Sequence, residues 1–110
     1  MDLLTLNEKV GANYMLMELI GSLNAYTMSD FQEKVYRYIL DSHIVVDMSQ
    51  VVNIDSSGLG VILAGINDGE EYGTKLFIMN PSPAAEQAFL KTGFMDSFRI
   101  IHSVTEVDDN

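Results

Sequence analysis

Ile44-Val45-Val46-Asp47-Met48 is a nearly continuous apolar run in an otherwise mixed stretch of chain. A run this short and this apolar reads as a central strand covered on both faces. Soon after it, Asp55-Ser56-Ser57-Gly58-Leu59-Gly60 turns the chain into a helical pattern at Leu59, Ile62, Leu63 and Ile66. Strands alternating with helices in this way imply a largely parallel central sheet.

The rest of the chain fits that frame. Leu4-Thr5-Leu6 and Tyr14 to Ile20 read as two strands joined by a turn near Gly11-Ala12-Asn13. Gly21-Ser22-Leu23-Asn24 breaks the second strand. Thr27 is the expected N-cap of a first helix, with Asp30 three residues on as a relaxed capping box. Phe31, Val35, Tyr38 and Ile39 fall at helical spacing, and the helix ends near Asp41-Ser42. The second helix runs to about Tyr72, where Gly73 stops it. Lys75 to Met79 is a further strand. Ser82-Pro83 caps and starts a third helix with its stripe at Ala85, Ala88 and Phe89, ended by Gly93. Arg99-Ile100-Ile101 is the last strand, and Ser103 with Glu106 caps a short terminal helix that frays into Asp108-Asp109-Asn110. The predicted order is β-β-α-β-α-β-α-β-α: one α/β domain over residues 1–110, a central mostly parallel mixed sheet flanked by about four helices.

Composition narrows the function. Sixteen acidic against six basic residues give a formal net charge of -10. Such a chain is repelled by nucleic acid and by anionic membranes, and is drawn to a protein with a basic surface. The cations Lys9, Lys34, Arg37, Lys75, Lys91 and Arg99 form no run. No cysteine is present, which excludes disulfides, thiolate metal sites and cysteine nucleophiles and is compatible with the cytoplasm. Met1-Asp2-Leu3-Leu4-Thr5 lacks the basic-then-apolar form of a signal peptide. No apolar stretch approaches the ~20 residues of a membrane span. A monomer is expected for the free chain.

The Asp55–Gly60 turn carries the chemistry. One reading is a plain strand-to-helix turn with Ser57 as N-cap and Gly58 for steric freedom, and local chemistry favours it. The other adds a phosphate to Ser56, since the start of a helix tolerates an anion. Gly58 and Gly60 would keep the surface low enough for another protein's active site. A serine nucleophile needs a base and an orienting acid. His43 sits at the far end of the strand feeding the turn, and nothing ties His102 to Ser56. The flanks are not Gly-x-Ser-x-Gly, a dinucleotide fingerprint or a phosphate-binding loop. Glu70-Glu71 and Asp108-Asp109 are adjacent pairs on solvated segments and make poor metal sites. Met28 and Met95 lie beside breaks, as exposed contact residues would.

The strand, Asp55-Ser56-Ser57-Gly58-Leu59-Gly60, the apolar helix and Lys75-Leu76-Phe77-Ile78-Met79 together resemble the STAS domains of bacterial anti-sigma factor antagonists. The resemblance extends to Asn80-Pro81-Ser82-Pro83, Thr92-Gly93-Phe94, and Gly21-Ser22-Leu23-Asn24 with Thr27, and so spans essentially the whole chain. It reverses the preference for a plain turn.

The resemblance implies a substrate and ligand, not an enzyme, with no cofactor or metal of its own. The unmodified chain would bind an anti-sigma factor that is itself a serine kinase, freeing the sigma factor. The kinase, with its own ATP and Mg²⁺, would phosphorylate Ser56, the first serine of the motif, and the complex would part. A metal-dependent serine phosphatase would reset it. Ser56 is preferred to Ser57 on the motif's order, and because Ser57 is expected to be the cap. The partner-binding face would comprise Asn24, Tyr26, Thr27, Met28, Asp55, Ser57, Gly58, Leu59, Gly60, Val61 and Ala64. Asn24 departs from the aspartate that the family often carries there, and Ser22 stands where the family is sometimes acidic. An alternative use of the same domain is a fixed, unphosphorylated scaffold in a sensory or transport assembly.

Overall fold

The computed structural model describes residues 3–107. The expected fraying at Asp108-Asp109-Asn110, and the Asp108-Asp109 pair, lie outside them. Five strands form one sheet in the order β1-β2-β3-β4-β5. They are β1 (Leu4–Val10), β2 (Tyr14–Leu23), β3 (His43–Ile54), β4 (Leu76–Met79) and β5 (Arg99–Ile101). β1 pairs antiparallel with β2, and every other neighbouring pair is parallel. Three α-helices make the parallel crossovers: α1 (Ser29–Tyr38), α2 (Ser56–Tyr72) and α3 (Pro83–Lys91). The terminal helix is only a 3-10 turn, Val104–Glu106, although its Ser103–Glu106 capping box forms as expected.

The helices do not flank both faces. Phe31, Val35 and Ile39 of α1 and its C-cap, Val61 and Ile62 of α2, and Ala85 and Phe89 of α3 all join one core with Ile44, Val46 and Met48. The reason is topological. Parallel crossovers are right-handed, and here the strands advance in one direction without a reversal, so successive helices land on the same side. The opposite face holds the smaller cluster of Val45, Phe77 and Ile101, against which Val104 and Val107 pack. Val45 is still fully buried, as the apolar run requires.

Two strands run further than expected. β3 covers twelve residues because Val51 and Ile54 stay buried while Ser49, Gln50, Val52 and Asn53 face out. The polar Ser49, Gln50 and Asn53 hide the strand from a search for apolar runs. β2 does not stop at Gly21 but continues beside it to Leu23, with register shifts between Glu18 and Ile20 and between Gly21 and Ser22. Gly21 has φ +116°, and a Cβ there would lie 2.2 Å from the Leu3 carbonyl oxygen, which accepts from the Ser22 N–H. The glycine thus marks a bulge, not a strand end.

The sequence-derived cap of α3 is present. The Ser82 hydroxyl accepts from the Ala85 N–H and donates to the Val51 carbonyl at 2.6 Å, with Pro83 in the first turn. That donation fastens the helix to the extended part of β3. The cap of α1 is different from expectation. Met28 occupies the N-cap with no side-chain bond, and Thr27 is spent inside the preceding loop.

An ion cluster ties the edge strand β1 to α1. Lys34 reaches Glu8 at 2.6 Å and Asp30 at 3.4 Å, and the Tyr38 hydroxyl donates to Glu8. Lys34 and then Tyr38 hold the Glu8 carboxyl below its ordinary value of 4.5. A depressed carboxylate contributes stability that is present above its unfolded pKa and lost as pH falls through the folded one. Glu8→Gln is therefore expected to flatten the loss of stability below about pH 4.5 in urea titrations. An acid limb unchanged by the substitution would refute this assignment.

Candidate functional site

The carboxyl end of β3 and the loop after β2 meet at the start of α2. Leu23 pairs with Ile54, and the Asp55 N–H donates to the Leu23 carbonyl. Asp55, not Ser57, is the N-cap of α2. Its Oδ1 accepts from the N–H groups of Ser57 at 2.9 Å and Gly58 at 3.1 Å. A carboxylate here is stronger than a hydroxyl, because it adds charge at the positive end of the helix. Its Oδ2 accepts from the Ala25 N–H at 3.3 Å. One side chain therefore links the serine turn to the loop that carries Tyr26.

That loop is held from within. Asn24, only 7% exposed, accepts through Oδ1 from the Tyr26 and Thr27 N–H groups at 2.9 and 3.2 Å. The Thr27 hydroxyl accepts from the Asn24 N–H and donates to the Ser22 carbonyl at 2.8 Å. Tyr26 is left standing in solvent, 96% exposed. Asn24→Ala removes both of these Oδ1 hydrogen bonds and is expected to cost about 1–2 kcal/mol. Chemical denaturation reads the loss, and an unchanged midpoint would refute this role for Asn24.

Ser56 is the first residue of α2 and is exposed. Its hydroxyl makes no hydrogen bond among the described residues. Gly60 and Ala64 follow it at helical spacing and are exposed as well. Nothing lies within 4 Å of a Cβ built on Gly60, so its bareness keeps the surface low. Gly58 does not serve the surface. It is buried, and a Cβ there would meet Leu23 Cγ at 2.7 Å and Ile54 Cγ1 at 3.0 Å. The glycine lets α2 start directly on the ends of β2 and β3. Val61, expected on the docking face, is also buried at 4% exposure. It lines a small groove of about 80 Å³ between α1 and α2 with Val35, Tyr36, Ala64 and Asp68. Leu59 and Met28 are partly buried against the core, and so is Met95.

The structure thus brings Asn24, Tyr26, Thr27, Asp55, Ser56, Ser57, Gly60 and Ala64 to one corner. Gly58, Val61, Leu59 and Met28 support them from beneath. Tyr36, 67% exposed on the same groove, was missed by sequence reasoning. Only the crossing of α1 over α2 reveals it.

The histidines stay apart from this corner. His43 begins β3, and its Nδ1 accepts from the Lys75 N–H. A twelve-residue strand puts it roughly 36 Å from the Ser56 turn. A cleft of about 560 Å³ surrounds that distant end and includes Asn13, Tyr14, Asp41 and His43. His102, beyond β5, pairs with Asn80. No cluster of metal-binding side chains exists among the described residues, and no helix among them is long and apolar enough to cross a membrane.

Known structures share this architecture. SpoIIAA, an anti-sigma factor antagonist, in its unphosphorylated form superposes with a TM-score of 0.74 at 21% identity, over 94% of this chain and 90% of that one. The phosphorylated form of SpoIIAA, a Bacillus cell fate determinant, gives 0.70 at 21% identity, over 94% of each chain. An anti-sigma factor antagonist from Mycobacterium paratuberculosis gives 0.79 at 19% identity, over 94% of this chain and 89% of that one. SLC26A9 gives 0.70 at 17% identity, over 84% of this chain but 19% of its own length. At these identities the likeness is one of fold. The STAS domain family model matches residues 5–107, and the chain belongs to that family.

Proposed function

We propose that the chain is an anti-sigma factor antagonist. In this reading the unmodified form binds a kinase-type anti-sigma factor, releases the sigma factor, and is switched off by a phosphate on Ser56. The observation that carries it is the exposed, unengaged Ser56 hydroxyl on a turn that Asp55 ties, through the N–H groups of Ser57 and Ala25, to the loop presenting Tyr26. SpoIIAA, with the same fold, exists in unphosphorylated and phosphorylated forms. The kinase supplies ATP, Mg²⁺ and the base that accepts the serine proton, and a metal-dependent serine phosphatase removes the phosphate. The chain acts as substrate and ligand, in the cytoplasm, and catalyses nothing itself.

The test is intact mass with site mapping after incubation with ATP, Mg²⁺ and kinase-like anti-sigma factors from the source genome. One phosphate on Ser56, lost in Ser56→Ala, is the expected result. Stable binding without phosphate transfer would overturn the switch. It would favour the scaffold reading, for which the STAS-like part of the much longer SLC26A9 is the supporting observation.

A further inference from the structure

A second groove borders Ser56, between the start of α2 and helix α3. It encloses about 360 Å³ and is lined by Asn53, Asp55, Ser56, Gln87 and Lys91 among others. Asp55 and Lys91 are the charged side chains in its lining. We infer that this groove is the seat of the phosphate once Ser56 is modified, with Lys91 as its counter-charge. The inference rests on the phosphorylation proposed above.

The start of α2 cannot itself satisfy the phosphate. The N–H groups of Ser57 and Gly58 already donate to Asp55. Asp55 also places a negative charge on that side, which repels a group carrying about -1.5 to -2. The dianion is pushed toward the cation that lines the same groove. Lys34 and Arg37 are committed to carboxylates, whereas Lys91 makes no ion pair among the described residues. It is exposed at the end of α3. Its four-carbon stem lets the ammonium move to the phosphate without backbone change. The amides of Gln87 and Asn53 line the same groove and can donate to the remaining oxygens. Seated there, the phosphate has one defined geometry, and a phosphatase must reach it across α3.

The test uses the full chain with phosphoserine placed at position 56 during translation by nonsense suppression, so no kinase is required. The second ionisation of the phosphate, ordinarily near pH 6, is followed by ³¹P NMR in the native background, in Lys91→Met and in Lys91→Arg. Lys91→Met is expected to raise it by about half a pH unit, the scale of one exposed ion pair. Lys91→Arg should restore the native value, and about 1 M salt should abolish the difference. Coincident curves for native and Lys91→Met chains would overturn the inference. A chain that no kinase phosphorylates would count against the proposed function alone, because this titration remains readable.

Discussion

Phosphoserine at position 56 is expected to weaken binding to the kinase-type anti-sigma partner by at least about a hundredfold, or ~3 kcal/mol. Ser56 lies on the turn that Asp55 ties to the Tyr26 loop, and in line with Gly60 and Ala64, so a partner seated on this corner desolvates it. A buried charge without a matched partner costs several kcal/mol. Asp55 adds like charge on one side, and Lys91 offsets only part of the dianion on the other. Ser56→Ala should bind within about threefold of the native chain, since the hydroxyl has no structural bond to lose. Titration calorimetry on the phosphoserine, Ser56→Ala and native chains makes the comparison. Equal affinity of phosphoserine and native chains would remove the switch and leave the Tyr26 loop as a constitutive docking element.

Phe89→Ala should cost about 3–5 kcal/mol. Phe89 is fully buried and stacks on Phe98, with ring centroids 4.5 Å apart and planes at 29°. The short α3 buries little else beyond Ala85. A domain of this size has about 5–15 kcal/mol of stability in total. One ring therefore accounts for a large share of it, and of what holds the Lys91 groove against β3. Leu90, half exposed next to it, should cost under about 1 kcal/mol as alanine. Urea denaturation of both variants reads the difference. A Phe89→Ala loss no larger than that of Leu90→Ala would mean that the helix is anchored by its Ser82 cap instead.

Much of this was legible before the structure. The apolar spacing of Phe31, Val35 and Ile39, the Ser82-Pro83 start and the left-handed Gly73 stop are local rules, and each held. The misreadings share one cause. Asp55, Ser56 and Ser57 are all good caps, and which one serves depends on where β3 ends. Thr27 looked like a helix cap but is consumed by Ser22 and Asn24, and Gly21 looked like a break but bulges against Leu3. Gly58 and Val61 looked superficial because nothing local says which side of α2 meets Leu23 and Ile54.

The sequence by itself determined the kinds of element, the sheet's mostly parallel character and the serine turn as the chemically distinctive point. Those follow from periodicity, turn residues and charge, which act over a few residues. Only the tertiary structure decided that the helices share one face and that Asp55 joins the Tyr26 loop to Ser56. It alone brought Lys91 into a groove with that serine, thirty-five residues away along the chain. The handedness of crossovers and the packing of distant segments govern these, and no local pattern encodes them.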